Sequence, residues 1–89
     1  MRFTWDERKR RANLRDHGFD LAEARHVFAG PTVTYEDDRF DYGEQRFVSL
    51  GLLRGVAVSI VHTETPHRIH LISFRKATRH EEIFLFQNL

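Results

Sequence analysis

The stretch FVSLGLLRGVAVSIVHTETPHRIHLISF, residues 47–74, carries the strongest structural signal in the chain. It contains three runs rich in β-branched and apolar side chains, which are typical of strands: residues 47–53, 56–63 and 69–74. Arg54-Gly55 predicts a two-residue hairpin turn between the first two runs, and Thr65-Pro66-His67 predicts a turn between the second and third. The segment therefore predicts an antiparallel three-stranded meander.

The two turns predict a register for this meander. A two-residue turn pairs Leu53 with Val56, whereas a three-residue turn pairs Glu64 with Arg68. One face of the sheet is then expected to carry Val48, Leu50, Leu52, Val61, Ile69 and Leu71, with Arg46 and Arg75 at its margins. The other face is expected to carry Phe47, Val58, Ile60, Ile72 and Phe74, with His62, Glu64, Arg68 and His70 clustered at one end. Because both faces are largely apolar, other elements or a partner should cover both.

Helical signals precede the meander. Thr4 and Asp6 are alternative N-caps for a helix that runs to about His17, with Gly18 as its stop signal. Residues 3–5 also suit a short edge strand. A second capping box, Asp20-x-x-Glu23, opens an amphipathic helix expected over residues 20–29.

The fold class follows from the remaining segments. Residues 32–35 are β-prone, residues 36–44 are acidic and turn-like, and Thr78-x-x-Glu81 predicts a C-terminal helix. Residues 83–86 are apolar on every side, so a strand is an alternative there. The sequence predicts an α+β domain with two N-terminal helices, a four-stranded antiparallel sheet and a C-terminal helix, as one domain over residues 1–89.

Composition excludes several classes of protein. The chain has 89 residues and no cysteine, so it is neither a disulfide scaffold nor a thiolate metal site, and a reducing cytoplasm suits it. No apolar stretch approaches the roughly 20 residues that cross a bilayer, so no membrane association is expected. The formal net charge is only +1, although acidic side chains concentrate in residues 31–46 and Arg far outnumbers Lys.

A polar row on the first helix is the first candidate site. Trp5, Lys9, Asn13 and His17 recur every four residues and therefore share one face of the helix, with Arg8 beside them. A cation, an amide and an imidazole next to an aromatic ring suit a nucleic-acid phosphate and a stacked base. The alternative is a solvated helix face on which His17 interacts with the helix dipole.

Two more candidates contain arginine. Glu44-x-Arg46 offers a general base and a phosphate clamp, although a surface ion pair explains the same pattern. Arg75-Lys76 precedes the capped helix N-terminus at Thr78, which is a typical anion site, although ordinary capping with flanking charge is the alternative.

The histidines outside the first helix suggest a weaker site. The expected cluster of His62, Glu64, Arg68 and His70 has groups for acid–base work on a ribose 2′-hydroxyl, but a cross-strand polar network is the favoured reading. Only His62, His67 and His70 lie close in sequence and no Cys accompanies them, so neither a metal site nor a cofactor is expected.

An ordered set of motifs spans nearly the whole chain. It comprises Phe3-x-Trp5-Asp6-x-x-Lys9-x-x-x-Asn13-x-x-x-His17-Gly18-Phe19, Ala24-x-x-Val27-Phe28-x-x-Pro31, Glu44-x-Arg46, Gly51, Val61-His62-Thr63-Glu64 and Arg68-Ile69-x-x-Ile72-Ser73-x-Arg75-Lys76-Ala77-Thr78-x-x-Glu81. This set resembles the BrnT family, the toxins of BrnT/BrnA type II toxin–antitoxin pairs. The resemblance implies a RelE-like ribonuclease fold, RNA cleavage that arrests translation, and neutralisation by a ribbon-helix-helix antitoxin that also binds DNA.

The resemblance and the candidate residues together give a functional hypothesis. A metal-independent endoribonuclease needs a base, an acid and cations around the phosphate. The expected catalytic residues are Lys9, His17, Glu44, Arg46 and Arg75, with Arg46 and Arg75 stabilising the phosphate and Glu44 and His17 as the acid–base candidates. The expected RNA-binding residues are Arg8, Asn13, Arg68 and Lys76. A catalytically inactive protein-binding module is the alternative.

The apolar C-terminal segment predicts an interface. If residues 83–86 are helical, they cannot all face one core, so some should form an exposed patch. Ile83, Phe84 and Phe86 are the expected contacts for the antitoxin or a second copy, in a homodimer or a toxin–antitoxin heterotetramer. DNA is expected to be reached only through the antitoxin.

Overall fold

The computed structural model describes all 89 residues as an α+β fold, which confirms the predicted class. One sheet has the strand order β1-β5-β4-β3-β2. Its strands are β1 (Arg2–Thr4), β2 (Val33–Asp37), β3 (Arg46–Leu53), β4 (Val56–Thr65) and β5 (Arg68–Lys76). The helices are α1 (Glu7–His17), α2 (Ala24–Phe28) and α3 (Arg79–Gln87), and a 3₁₀ turn, Leu21–Glu23, leads into α2. None of the helices is long and apolar enough to cross a membrane.

The sheet has five strands and is mixed, so the prediction of a four-stranded antiparallel sheet is wrong. β1 pairs in parallel with β5, from Arg2 opposite Arg68 to Thr4 opposite His70. A side-chain bond of 2.8 Å between Thr4 Oγ1 and His70 Nδ1 supports this pairing. The chain between β1 and β5 contains the other three strands and two helices. Parallel strands need a long connection of this kind, because a tight turn joins only antiparallel strands.

The first hairpin of the meander has the predicted register and the second does not. Leu53 pairs with Val56 and Phe47 with His62, as Arg54-Gly55 predicted. The second turn has two residues rather than three, so Thr65, not Glu64, pairs with Arg68. An irregularity then leaves Ile72 as an extra residue on β5, because Val61 pairs with Ser73 and His62 with Leu71.

These shifts reassign the faces of β5. Ile69 and Leu71 lie on the same face as Phe74, not with Val48 as expected. His62 and His70 are on opposite faces, because His70 pairs with Thr63. The predicted cluster of His62, Glu64, Arg68 and His70 is therefore divided between the two faces.

Each face of the sheet has its own core. On the first, the α2 face, the buried side chains are Leu21, Ala24, Val27, Leu53, Val58, Ile60, Ile69, Leu71 and Phe74. On the second, the α3 face, they are Val48, Leu50, Ala57 and Leu85. Helix α2 approaches β3 closely at Gly51, where a Cβ would lie 2.6 Å from Val27 Cγ1. A larger residue at position 51 would therefore push α2 away from the sheet.

The N-terminal helical region differs in part from the prediction. Asp6 caps α1 by accepting from the backbone N–H of Arg8 and Lys9, and Gly18 ends the helix at φ 77°. The predicted helix over residues 20–29 is only a 3₁₀ turn followed by the short α2. The side chain of Asp20 accepts from the Ala22 N–H, and this local bond favours the tighter turn.

The C-terminal segment is a helix rather than a strand. Thr78 and Glu81 form the predicted capping box, in which each side chain bonds the backbone N–H of the other residue. Leu85 is fully buried against the α3 face, whereas 42% of Ile83, 43% of Phe84 and 56% of Phe86 is exposed. The expected exposed apolar patch is present.

A hydrogen-bonded row of polar side chains on the α2 face leads from exposed Thr34 to buried Ser49 and His62. Thr34 Oγ1 bonds Ser49 Oγ at 2.7 Å, and Ser49 Oγ bonds His62 Nε2 at 2.7 Å. Phe28 and Phe47 pack on the imidazole of His62 from α2 and β3. Glu64 is the charged group beside it, with its Oε2 4.0 Å from His62 Nδ1.

His62 should make stability depend on pH. Burial lowers the pKa of His62 below its ordinary value, although the nearby charge of Glu64 raises it. The unfolded chain therefore binds this proton more readily, so stability is complete above the ordinary His pKa of about 6.5 and falls as pH drops below it. We expect urea unfolding of the wild type between pH 7.5 and pH 5 to show a steeper loss of stability than unfolding of His62→Gln. His26→Gln, at an exposed position, should lose stability with falling pH as the wild type does. An equal dependence of unfolding free energy on pH in all three proteins would show that His62 is not the source of the pH dependence.

Candidate functional site

An open cleft on the α3 face is the candidate active site. It lies between the end of β2, with the two residues that follow it, and the N-terminal end of α3, and its volume is about 200 Å³. Its lining residues are Tyr35, Glu36, Asp37, Asp38, Arg39, Val48, Ser59, Val61, Arg75 and Glu81. Both walls carry an arginine that is held by a carboxylate.

Arg75 is fixed on one wall of the cleft by Glu81. Its Nη1 and Nη2 donate to the two carboxylate oxygens of Glu81 at 2.8 and 3.0 Å. Glu81 Oε1 also accepts from the Thr78 N–H, so the capping box positions the carboxylate and the carboxylate positions the arginine. Burial raises the pKa of Glu81, but the hydrogen bonds from Arg75 and Thr78 outweigh it and hold that pKa below its ordinary value.

Arg39 is fixed on the opposite wall by Asp37. Its Nε and Nη2 donate to the two oxygens of Asp37 at 2.8 and 2.9 Å. The hydroxyl of Tyr42 donates to the same carboxylate at 3.1 Å. The hydrogen bonds from Arg39 lower the pKa of Asp37 to about 2, so this carboxylate is ionised at neutral pH.

Both arginines keep donors for a ligand. A guanidinium group has five N–H donors. Arg75 uses three of them on Glu81 and the Lys76 carbonyl, which leaves the Nε–H and one Nη2–H. Arg39 uses two on Asp37. Held in these orientations, the remaining donors suit the oxygens of a phosphate group.

Tyr35 adds a protonated phenol to the cleft. Burial raises its pKa above the ordinary value, and the negative charge of Glu81 acts in the same direction. Its hydroxyl is therefore un-ionised at neutral pH and is able to donate a hydrogen bond or a proton. Its ring also packs edge-on against Phe84, with the centroids 6.1 Å apart.

Glu44 and Arg46 lie together near the cleft without lining it. Arg46 Nε donates to Glu44 Oε1 at 3.3 Å, and the guanidinium stacks 4.1 Å above the ring of Tyr42. Tyr42 in turn bonds Asp37. The pair is therefore connected to the Arg39 wall through one side chain, and Arg46 points to the same α3 face as Val48 two residues later.

The candidates on α1 do not line the cleft. Arg8, Lys9 and His17 are exposed on a helix that packs against β5. Asn13 is buried: its Nδ2 donates to the carbonyls of Phe19 and Phe74 at 2.8 Å each, and its Oδ1 accepts from the Phe74 N–H at 3.0 Å. These three bonds attach α1 to β5 and account for an asparagine at this position without any ligand.

Two further RNA-binding candidates lie at opposite ends of β5. Arg68 is exposed beside the β4–β5 turn, and Lys76 is exposed at the other end of the strand. Neither lines the cleft, although Lys76 is next to Arg75 in sequence. No group of three or more His, Cys, Asp or Glu side chains is arranged to hold a metal ion.

Several cleft residues do not stand out in the sequence. Tyr35 and Arg39 are not indicated as site residues, because residues 32–44 have the pattern of a β-prone stretch followed by an acidic turn. The available signal was Asp37-x-Arg39, a carboxylate and an arginine two residues apart, which is the same kind of pattern as Glu44-x-Arg46. The sequence indicates Glu81 as a capping residue and a motif position, and the structure adds that it anchors Arg75.

The fold is similar to that of a known ribonuclease toxin. The 1.1 Å crystal structure of the Brucella abortus ribonuclease toxin BrnT superimposes with a TM-score of 0.65 and 23% sequence identity, covering 89% of this chain and 99% of that one. No curated protein sequence matches the chain significantly. At this level of identity the likeness establishes the fold.

The family follows from the sequence itself. The model of the family described as "Ribonuclease toxin, BrnT, of type II toxin-antitoxin system" matches residues 5–81. The chain therefore belongs to the BrnT family of ribonuclease toxins. It is an endoribonuclease toxin with RNA as its target and an antitoxin as its partner, and the resemblance found in the motifs is confirmed.

Proposed function

We propose that the cleft on the α3 face is the active site of a metal-independent endoribonuclease. The observation that carries this proposal is the pair of arginines, Arg39 and Arg75, which line the cleft, are each anchored by a carboxylate and each keep N–H donors without a partner. Preorganised cations around a phosphate stabilise the charge that develops when the 2′-hydroxyl attacks it. The whole chain, residues 1–89, acts as one domain, and the cytoplasm is its compartment.

The chemistry requires a proton acceptor and a proton donor. Glu44 does not line the cleft but is connected to its Arg39 wall through Arg46 and Tyr42, so the attacking ribose is placed at that rim of the cleft. There Glu44 accepts the proton of the ribose 2′-hydroxyl, and the 2′-oxygen then forms a bond to phosphorus. The bond from phosphorus to the 5′-oxygen breaks, and that oxygen takes the proton of the Tyr35 phenol. The products are a 2′,3′-cyclic phosphate and a 5′-hydroxyl, with Arg46, Arg75 and Arg39 around the phosphate.

The exposed cations outside the cleft have a supporting role. Lys9 and His17, which were expected to be catalytic, are exposed on α1 and do not line the cleft, so the role proposed for them is RNA binding outside the reacting phosphate. Arg8, Arg68 and Lys76 act in the same way. Such contacts supply salt-dependent affinity without sequence information.

Growth of cells tests this proposal in vivo. Induction of the chain without its antitoxin should arrest growth, and induction of Arg75→Ala or Arg46→Ala should not. An inactive protein-binding module is the second candidate, because both cleft arginines are neutralised by carboxylates and the net charge is +1. Growth that continues on induction of the wild type, with normal binding of the antitoxin, would favour that module.

An apolar groove beside the cleft is the proposed antitoxin site. Its volume is about 360 Å³, and it is lined by Tyr35, Leu50, His80, Glu81 and Phe84. Ile83 and Phe86 extend the exposed apolar surface along α3. Since Tyr35 and Glu81 line both the groove and the cleft, an antitoxin seated here also blocks access of RNA.

The same surface defines the proposed assembly. A ribbon-helix-helix antitoxin is a dimer, so two toxin chains on one such dimer give a heterotetramer that reaches DNA only through the antitoxin. A homodimer of the toxin through Ile83, Phe84 and Phe86 is the competing assembly.

Charge placed in this patch should disrupt the complex. Phe84→Glu and Phe86→Glu should each weaken antitoxin binding by about 2 kcal/mol or more, because a buried aromatic contact becomes a desolvated carboxylate. Titration calorimetry with the purified antitoxin measures the loss. Val56→Glu is the matched control, since Val56 is similarly exposed but lies at the β3–β4 turn. Unchanged affinity in both phenylalanine variants would contradict the assignment of the interface.

A further inference from the structure

One buried hydroxyl at the base of the cleft has no partner in the protein. Ser59 lies on β4 with 1% of its surface exposed, and its Oγ makes no hydrogen bond. Buried hydroxyl groups in folded proteins nearly always have a partner, because an unpaired one loses its hydration without compensation. Ser59 also lines the cleft.

Packing does not explain a serine at this position. Ser59 lies on the α3 face, opposite Leu50 on β3 and Arg75 on β5. The buried hydrophobic cluster of that face consists of Val48, Leu50, Ala57 and Leu85. An alanine would serve the same packing without the desolvated hydroxyl, so the hydroxyl itself needs another reason.

Ser49 provides the contrast within the same sheet. It is equally buried, on the opposite face, but its Oγ bonds both Thr34 and His62 at 2.7 Å. The hydroxyl of Ser49 is therefore part of the hydrogen-bonded fold, whereas the hydroxyl of Ser59 has no partner within the protein.

We infer that Ser59 is a substrate-contacting residue, and that its Oγ–H donates a hydrogen bond to a phosphate oxygen of the RNA. This inference rests on the proposed function of the cleft. Arg75 is the cross-strand neighbour of Ser59 and keeps two N–H donors, so one phosphate oxygen is able to meet both side chains. Because Ser59 is almost completely buried, a single phosphoryl oxygen is the only part of the RNA small enough to contact its Oγ.

The test compares Ser59→Ala with Ser49→Ala. The three measurements are urea unfolding, kcat/KM for RNA cleavage, and affinity for a 2′-deoxy oligonucleotide, which binds but lacks the attacking hydroxyl. We expect Ser59→Ala to be at least as stable as the wild type, because it removes an unpaired group, yet to lose about 10- to 100-fold in kcat/KM. Ser49→Ala should lose stability and keep kcat/KM within about twofold where it is folded.

Several results would overturn the inference. A clear loss of stability in Ser59→Ala would mean that the hydroxyl belongs to the fold, and unchanged cleavage would mean that it does not touch RNA. If the wild type cleaves no RNA, the proposed function fails, but binding of the 2′-deoxy oligonucleotide still tests the role of Ser59. Weaker binding by Ser59→Ala than by the wild type would support Ser59 as a contact. Equal affinities of the two proteins for the oligonucleotide, or no binding by the wild type, would overturn the inference.

Discussion

Arg75→Ala should lower kcat/KM for RNA cleavage by about 10²- to 10³-fold, the loss that follows removal of one preorganised transition-state donor. Arg75 lines the cleft, Glu81 fixes its orientation through two bonds, and two of its N–H donors remain for the phosphate. Arg75→Lys keeps the charge but not the fork geometry, so it should recover only part of the activity. Single-turnover cleavage of a labelled RNA measures the effect.

Arg79→Ala is the matched control for this prediction. Arg79 is on the same helix turn as Glu81, but its side chain is 84% exposed and its contact with Glu82 is 3.6 Å long. It should cleave RNA like the wild type. Thermal melts of all the variants separate lost catalysis from lost folding, since Arg75→Ala leaves Glu81 without its ion-pair partner. Full cleavage by a folded Arg75→Ala protein would remove Arg75 from the active site.

Asn13→Ala should destabilise the fold by about 2–4 kcal/mol, since both the N–H and the carbonyl of Phe74 lose their partner in a buried setting. Phe74 is fully buried and belongs to the core of the α2 face, so water does not replace the amide. The carbonyl of Phe19 loses a bond as well. Urea unfolding at pH 7.5 measures the difference.

Asn88→Ala is the control for Asn13→Ala. Asn88 also bonds one backbone carbonyl, that of Phe84, but it does so at the exposed end of α3. The expected loss there is within about 0.5 kcal/mol. If Asn13→Ala kept wild-type stability and lost RNA affinity instead, Asn13 would be the RNA contact that the helix spacing first indicated.

The parts of the fold that follow from local chemistry could be predicted from the sequence. Arg54-Gly55 specifies its own turn, because both residues adopt positive φ angles, and the register of β3 and β4 follows from it. The caps at Asp6, Gly18 and Thr78 are local as well. The parallel pairing of β1 with β5 could not be predicted in this way, since the three residues of β1 carry no periodic signal and their partner strand is more than 60 residues away.

The errors at β5 have a related origin. Thr65-Pro66-His67 is compatible with turns of two or three residues, and the choice moves every later residue to the other face. The extra residue at Ile72 returns Phe74 to the α2 face, where Asn13 binds its backbone. No pattern within residues 68–76 indicates that α1 packs against this strand through Asn13.

Two local patterns indicated residues of the candidate site. The cations Arg75-Lys76 before a capped helix N-terminus indicated Arg75, and the spacing Glu44-x-Arg46 indicated that pair. The structure places Arg46 and Arg75 on the same face of the sheet. Spacing by four on α1 shows only that Lys9 and Asn13 lie on the same face of the helix. Which of them is buried depends on how α1 packs on β5, and that is a tertiary property.

Cleavage of RNA by the purified, antitoxin-free chain in excess EDTA is the decisive test of a metal-independent active site at Arg75. We expect fragments with 2′,3′-cyclic phosphate and 5′-hydroxyl ends, formed at the same rate with and without the chelator and at least about 100-fold more slowly in Arg75→Ala. Cleavage that stops in EDTA and returns with a divalent cation would contradict this expectation, as would wild-type and Arg75→Ala proteins that cut RNA equally well.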